Sequence, residues 1–352
     1  MPLVVKPTPA HVAPPPHVIM PAFQTRFGPK LSKECEASDR TVRVNALTAL
    51  CDALSDPEQA GGCADSNVVD TLNAHVSTGA DAPTRVLAAK ALSRCARDSR
   101  AARAMVESET PLKIREAALN DAEQDVRVHC YDALIRLGGG PRRGARALVA
   151  GGYPAALVAK AEAETVGLQP QCLDLLTCCL GDEQGLNEAL EAGGIATCLS
   201  LLASLDSSVR AAAGRCLASL CFAAQAKDAA VEANAVDVLC GLLDDRDLGA
   251  RRAACAALVS ITTTDEGKRR MVNDARPRDA IPLLVSLLAE PDAPLATIAL
   301  KCVANVSVHP ELREQLREDE ACLGAIEALC DGDDVLVARH ARVAKDAVLW
   351  EP

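Results

Sequence analysis

The side chains able to do chemistry are numerous in this chain, but their spacing does not set them up for it. Six histidines are present, His11, His17, His75, His129, His309 and His340. None stands at i, i+4 from another His or beside a cysteine it could activate, so the pattern holds neither a base–nucleophile pair nor a metal-binding helix face. Sixteen cysteines raise a disulfide or metal reading, yet no CxxC pair and no Cys/His cluster of zinc-ligand form occurs; the nearest neighbours are Cys178 with Cys179, and Cys216 with Cys221. Cys51, Cys130, Cys216, Cys255 and Cys302 lie among Ala and Leu, in place of Ala, and read as small buried hydrophobes in a reducing compartment. The loop LGGGPRRGA at residues 137–145 has glycines and arginines of the kind that cradle a phosphate. It lacks the Walker spacing and its Lys-Ser/Thr, and a helix-ending turn is the simpler reading. The acidic pairs Asp182-Glu183, Asp244-Asp245 and Asp333-Asp334 fall at turns before helices, where carboxylates cap free N–H groups, a reading preferred to a calcium or acid–base site. The basic triplets Arg142, Arg143, Arg146 and Lys268, Arg269, Arg270 read as exposed convex faces of short helices. The expectation is therefore a protein that is not an enzyme and has no cofactor, metal or small-molecule substrate.

Composition says what kind of elements must carry these residues. Ala, Leu and Val dominate the 352 residues, against 3 Phe, 2 Tyr and 1 Trp, too few aromatics for the core of a β-sandwich or a large α/β domain. Small side chains at close helix crossings fit better. A formal net charge of -11 repels phosphate, which argues against nucleic acid or an anionic membrane as partner. No run of 18 apolar residues occurs, and the start MPLVVKPTPAHVAPPP lacks the apolar core of a secretion signal, so a soluble intracellular protein is expected. Residues 1–21 carry seven prolines and predict a disordered, Pro-rich tail.

Beyond the tail one pattern recurs: an apolar residue, usually Arg next, then a small residue three later and Leu four after that. It is legible in VRVNALTAL, TRVLAAKAL, VRVHCYDAL, VRAAAGRCL and ARRAACAAL, with Arg43, Arg85, Arg127, Arg210 and Arg251 in register. Weaker copies, GLQPQCLDLL around Leu168 and LATIALKCV around Ala296, complete a period of about 42 residues. Ala46, Ala88, Cys130, Ala213, Ala254 and Ala299, with Leu50, Leu92, Leu134, Leu175, Leu217 and Leu258, form one face of a helix, and that face is predicted to be buried. Upstream of each copy runs a second helical segment, as in GGIATCLSLLAS, NAVDVLCGLLDD, RDAIPLLVSLLAE and CLGAIEALCDG. A shorter third precedes it, as in DEQGLNEALEA, QAKDAAVEAN, DEGKRRMVND and PELREQLRED.

Three helices per period, and the run GGIATCLSLLASLDSSVRAAAGRCLASL in particular, resemble the armadillo consensus. The implied fold is all-α, a right-handed α-solenoid of armadillo/HEAT-like repeats, about eight units, over residues 22–352, with a partial first repeat at 22–55. In armadillo proteins the third helices line a concave groove, where Trp and Asn clamp an extended peptide. Here Asp52, Arg94, Arg136, Thr177, Ser219, Ser260 and Asn305 take the Asn place, and Thr48, Lys90, Asp132, Leu173, Arg215, Ala256 and Lys301 the Trp place. With no Trp-Asn ladder, a nuclear-localisation-signal receptor is not expected. Lys90, Arg94, Asp132, Arg136, Arg215, Ser219, Lys301 and Asn305 make a mixed-charge strip that either grips an acidic or helical partner or is a wetted groove.

The two ends carry a narrower resemblance. RFGPKLSKECEASDRTVRVNALTALCDALSDPE and the closing VARHARVAKDAVLWEP are similar to the armadillo-repeat radial spoke proteins of motile cilia and flagella, of the radial spoke protein 14 type. The matching residues are Phe27, Gly28, Pro29, Lys30, Leu31, Leu50, Cys51, Asp52, Asp56, Pro57, Glu58, Trp350 and Pro352. This resemblance implies a structural scaffold subunit of the radial spoke, held among other spoke proteins in the axoneme, with cytoplasm and cytoskeleton as its setting. The alternative expectation is a soluble armadillo adaptor, such as an Hsp70 nucleotide-exchange factor or a cargo receptor.

Overall fold

A computed structural model describes residues 31–56, 67–77, 80–272 and 280–351. The Pro-rich tail and the matched residues Phe27, Gly28, Pro29, Lys30, Pro57, Glu58 and Pro352 lie outside the described residues. The chain divides into two compact units, Met1–Gly151 and Gly152–Pro352, and every regular element among the described residues is helical.

In the first unit the pattern-bearing segments are the helices Arg40–Ala53, Ala82–Cys95 and Gln124–Gly138, packed side by side in that order. In the second they are Gln169–Cys179, Ser207–Leu220, Leu248–Ile261, Ala293–Val306 and Val335–Leu349, again each against the next. These are the third helices of the repeats. A full triplet is seen in Glu183–Glu191, Gly194–Leu202 and Ser207–Leu220, and again in Ala224–Glu232, Ala235–Leu242 and Leu248–Ile261. All twelve small and leucine positions singled out by the periodicity are buried, because stacking neighbours is the only way a single repeat covers its apolar stripe.

Local chemistry sets the helix boundaries. Most third helices start at an Asp whose carboxylate accepts backbone N–H groups: Asp39 from Thr41 at 2.7 Å, Asp206 from Ser208 at 2.8 Å, Asp247 from Ala250 at 2.8 Å, Asp292 from Leu295 at 2.7 Å and Asp334 from Leu336 at 2.9 Å. The turn from first to second helix passes through the left-handed region at Glu109 (φ 55), Gly152 (φ 72), Gly193 (φ 87) and Asn234 (φ 59). Gly and Asn take that conformation at little cost; Glu does not.

Small residues let third helices approach closely. A Cβ on Gly214, in Ser207–Leu220, would lie 2.8 Å from the Cβ of Ala253 on the next third helix. This explains the near-absence of aromatics: the two tyrosines, Tyr131 and Tyr153, are fully buried, while Phe222 is exposed. Thirteen of the fifteen described cysteines are buried and all fifteen are free thiols, as expected for residues standing in for Ala. Burial pushes the Cys51 thiol up to about 11 and the Cys221 thiol up to about 12, away from the thiolate that nucleophilic or metal chemistry needs.

Candidate partner-binding surface

The repeating arginine turns out to be a staple between repeats. Arg85 Nε and Nη2 donate to the two oxygens of Asp121 at 2.7 and 3.0 Å, and its Nη1 donates to the Ala80 carbonyl at 2.5 Å. Arg210 repeats this in the second unit, gripping Asp245 at 2.7 and 2.8 Å and the Ser204 and Leu205 carbonyls at 2.9 and 3.1 Å. Arg43 reaches Asp81 at 3.1 Å and the Ala37 carbonyl at 3.0 Å; Arg251 reaches Glu290 at 3.0 Å and the Asp245 carbonyl at 2.7 Å. Each guanidinium therefore closes the turn before its own helix and holds the acid in the next repeat's turn, a task suited to the planar, multi-donor fork of Arg. The hydrogen bond from Arg210 is the main reason the Asp245 carboxyl sits below the usual range. For Asp121, burial pushes the other way, and the bonds from Arg85 and the Glu123 N–H outweigh it, so the net shift is again downward. Asp245 thus corrects the capping expectation for Asp244-Asp245: its carboxylate is committed to Arg210 and the Asp247 N–H, and Asp247 caps the helix. Asp182 and Asp334 cap as expected.

The expected strip residues lie on the third helices, but several are turned inward. Arg94 donates to the Cys51 carbonyl of the preceding third helix. Asn305 donates to the Val259 carbonyl at 3.0 Å, also one repeat back, and Ser219 bonds back to the Arg215 carbonyl at 3.1 Å. These polar groups serve the backbone, since a groove carbonyl left without a donor is costly. Asp132 accepts from Ser93 at 2.5 Å and from Arg136 at 3.0 Å. Burial raises its pKa, and those two bonds bring it below the usual carboxylate range. Lys90 is half-buried; Arg136, Arg215 and Lys301 are exposed. Arg215 pairs across repeats with Asp174 at 2.7 Å.

Arg142, Arg143 and Arg146 are exposed, but Lys268 is not. Its side chain is only 8 % accessible and its Nζ lies 3.0 Å from Asp265, so the second basic triplet is not a uniform exposed face: the helix Asp265–Met271 lays this aliphatic stem on its neighbours.

What the sequence reading missed is a cavity of about 490 Å³ in the first unit. It opens where the helices Ala82–Cys95 and Gln124–Gly138 end and Ser99–Glu107 and Arg142–Ala150 begin. Four arginines rim it: Arg97, Arg103, Arg136 and Arg143. Their clustering in space follows from one helix end stacking on another and has no spacing signature, although the local density of Arg between residues 94 and 146 was a visible hint. Among the described residues no group of His, Cys, Asp and Glu is placed to hold a metal, and no helix is long and apolar enough to cross a membrane.

Comparison with known proteins gives the class. The Armadillo/beta-catenin-like repeat matches residues 224–263. A crystal structure of an engineered protein is similar over 92% of this chain and 78% of its own length, with a TM-score of 0.79 and 25% identity. A designed armadillo repeat protein is similar over 66% of this chain and 97% of its own, TM-score 0.58 and 20% identity. Another designed armadillo repeat protein, in complex with a (KR)4 peptide, is similar over 66% of this chain and 96% of its own, TM-score 0.57 and 21% identity. No curated protein sequence matches. The chain has the armadillo-repeat fold.

Proposed function

We propose that this chain is a structural scaffold subunit of the ciliary or flagellar radial spoke, holding neighbouring spoke proteins through its repeat surfaces. The observation that carries the assignment is the pair of terminal segments, FGPKL with LCDALSDPE at one end and the closing WEP at the other, on one armadillo chain. A scaffold role also agrees with the arginine staples, which tie neighbouring repeats together at the four junctions spanned by Arg43, Arg85, Arg210 and Arg251. The designed neighbour's (KR)4 ligand is basic. Of the exposed strip cations here, Arg136 and Arg215 already pair with Asp132 and Asp174, so Lys301 is the one that suits an acidic partner surface.

The test is to tag the protein in a ciliated cell, isolate axonemes and fractionate. A spoke subunit stays through detergent and leaves only under conditions that extract spokes. Recovery from the soluble pool with a chaperone or cargo would overturn the spoke assignment in favour of a transient adaptor.

A further inference from the structure

We infer that the arginine-rimmed cavity in the first unit is a docking site for an acidic peptide segment of a partner protein, one apolar side chain entering the cavity and carboxylates on either side engaging the rim. The inference rests on the scaffold reading of the chain but not on which assembly it serves.

The cavity is larger than a single buried side chain needs and falls within the ~300–1,000 Å³ range of ligand sites. Its floor is apolar, from Val106 and Leu137 with small neighbours, which suits an aliphatic anchor. Its rim is cationic in a chain whose net charge is -11. Two of the four arginines have internal partners: Arg103 pairs with Glu107 at 3.0 Å, and Arg136 with Asp132 at 3.0 Å. Arg97 and Arg143 are exposed and make no ion pair among the described residues. Glu107 on the lining and Asp132 behind Arg136 offset two of the four charges, and Asp132 also lies within electrostatic reach of Arg97, so the rim keeps a net positive charge whose field favours carboxylates, and Arg forks match carboxylates bidentately. The helix Arg142–Ala150 begins at Pro141 with no side-chain cap, which leaves its positive end facing the same opening. Nucleic acid is the poorer occupant: none of the lining residues is aromatic, so bases have nothing to stack on.

The experiment uses the full chain and a fluorescein-labelled peptide with one leucine flanked on each side by three glutamates, read by anisotropy. Saturable binding is expected, weakening as salt rises. It should weaken at least about tenfold when glutamine replaces glutamate in the peptide, and similarly in the R97E/R143E double variant. Both arginines are exposed, so this variant should keep the far-ultraviolet circular dichroism of the parent; R143A alone is a milder second variant, expected to weaken binding by less. Arg339→Glu, an exposed reversal in the second unit, should leave the affinity unchanged. The inference is overturned by any of four results: no binding of the acidic peptide, equal binding by R97E/R143E, preference for the glutamine peptide, or displacement of the peptide by a single-stranded RNA oligomer that binds more tightly. Any of these with the tagged protein still retained in spokes would leave the spoke assignment standing. Binding as expected with the protein in the soluble pool would do the reverse.

Discussion

Removing the Asp245 carboxylate tests whether the arginine staples hold neighbouring repeats together. Arg210 and Asp245 share two hydrogen bonds at 2.7 and 2.8 Å, and their side chains are 16% and 8% accessible. A charge-assisted bond contributes about 1.5–3 kcal/mol net, whereas a fully exposed pair contributes about 0–1 kcal/mol. This pair lies between those limits, closer to the buried one. Asp245→Ala also frees the Asp247 N–H, which the carboxylate now accepts at 2.8 Å, so the single variant should cost about 2–3 kcal/mol. Arg210→Met loses the same pair and in addition the bonds to the Ser204 and Leu205 carbonyls, and should cost at least as much. The coupling energy from the double-mutant cycle isolates the pair; about 1–2 kcal/mol is expected, falling in high salt. Urea unfolding followed by circular dichroism gives the four stabilities, and native-state hydrogen exchange shows whether the loss is confined to the two repeats that meet there. A coupling energy below about 0.3 kcal/mol, the level at which independent sites add, would refute the staple argument and leave the arginine register as a solvation pattern.

Other expectations follow from the same geometry. Gly214→Val should destabilise by about 1–3 kcal/mol, because even a Cβ meets Ala253 at 2.8 Å, whereas Gly241→Ala, on an exposed helix position with nothing within 4 Å, should be neutral or stabilising by up to about 1 kcal/mol; thermal unfolding compares them. Glu109→Gly should stabilise by roughly 1 kcal/mol, since φ 55 is a strained value for Glu; a lower unfolding midpoint would contradict this. The hydrogen bond from Arg210 lowers the Asp245 carboxyl, and that from Arg252 lowers Asp292. At Asp81 burial acts upward, and the bonds from Thr84 and Arg43 still bring the carboxyl down to about 2. A depressed folded-state pKa binds fewer protons than the unfolded chain, so these groups contribute stability above about pH 4 and lose it as the pH falls toward 2, which a pH series of urea midpoints reads directly. Native-state alkylation with mass spectrometry should leave Cys130 and Cys179, whose thiols burial pushes up, unmodified while half-buried Cys330 reacts ahead of them.

The helices, the period and the buried face were all legible in the order of the residues. Ala213 and Leu217 are four apart in VRAAAGRCL and face the same neighbour whatever surrounds them, because helical pitch alone aligns them. The residue order also determined most helix starts, since an Asp cap acts within its own turn, as at Asp206 and Asp334. What the polar residues do depends on how the helices stack. Arg210 was visible as a recurring letter, but its carboxylate partner is a whole repeat away. Asp245 looked like a cap because its local context is that of one, until the neighbouring helix brought a guanidinium to it. Asn305 and Arg94 look like groove residues in projection, yet each answers a backbone carbonyl on the preceding third helix. The cavity rimmed by Arg97, Arg103, Arg136 and Arg143 had no linear signature, because its walls come from helix ends that meet only when repeats stack. Apolar periodicity is written within one helix; hydrogen-bond partners and cavities depend on distances between helices, which the stacking sets.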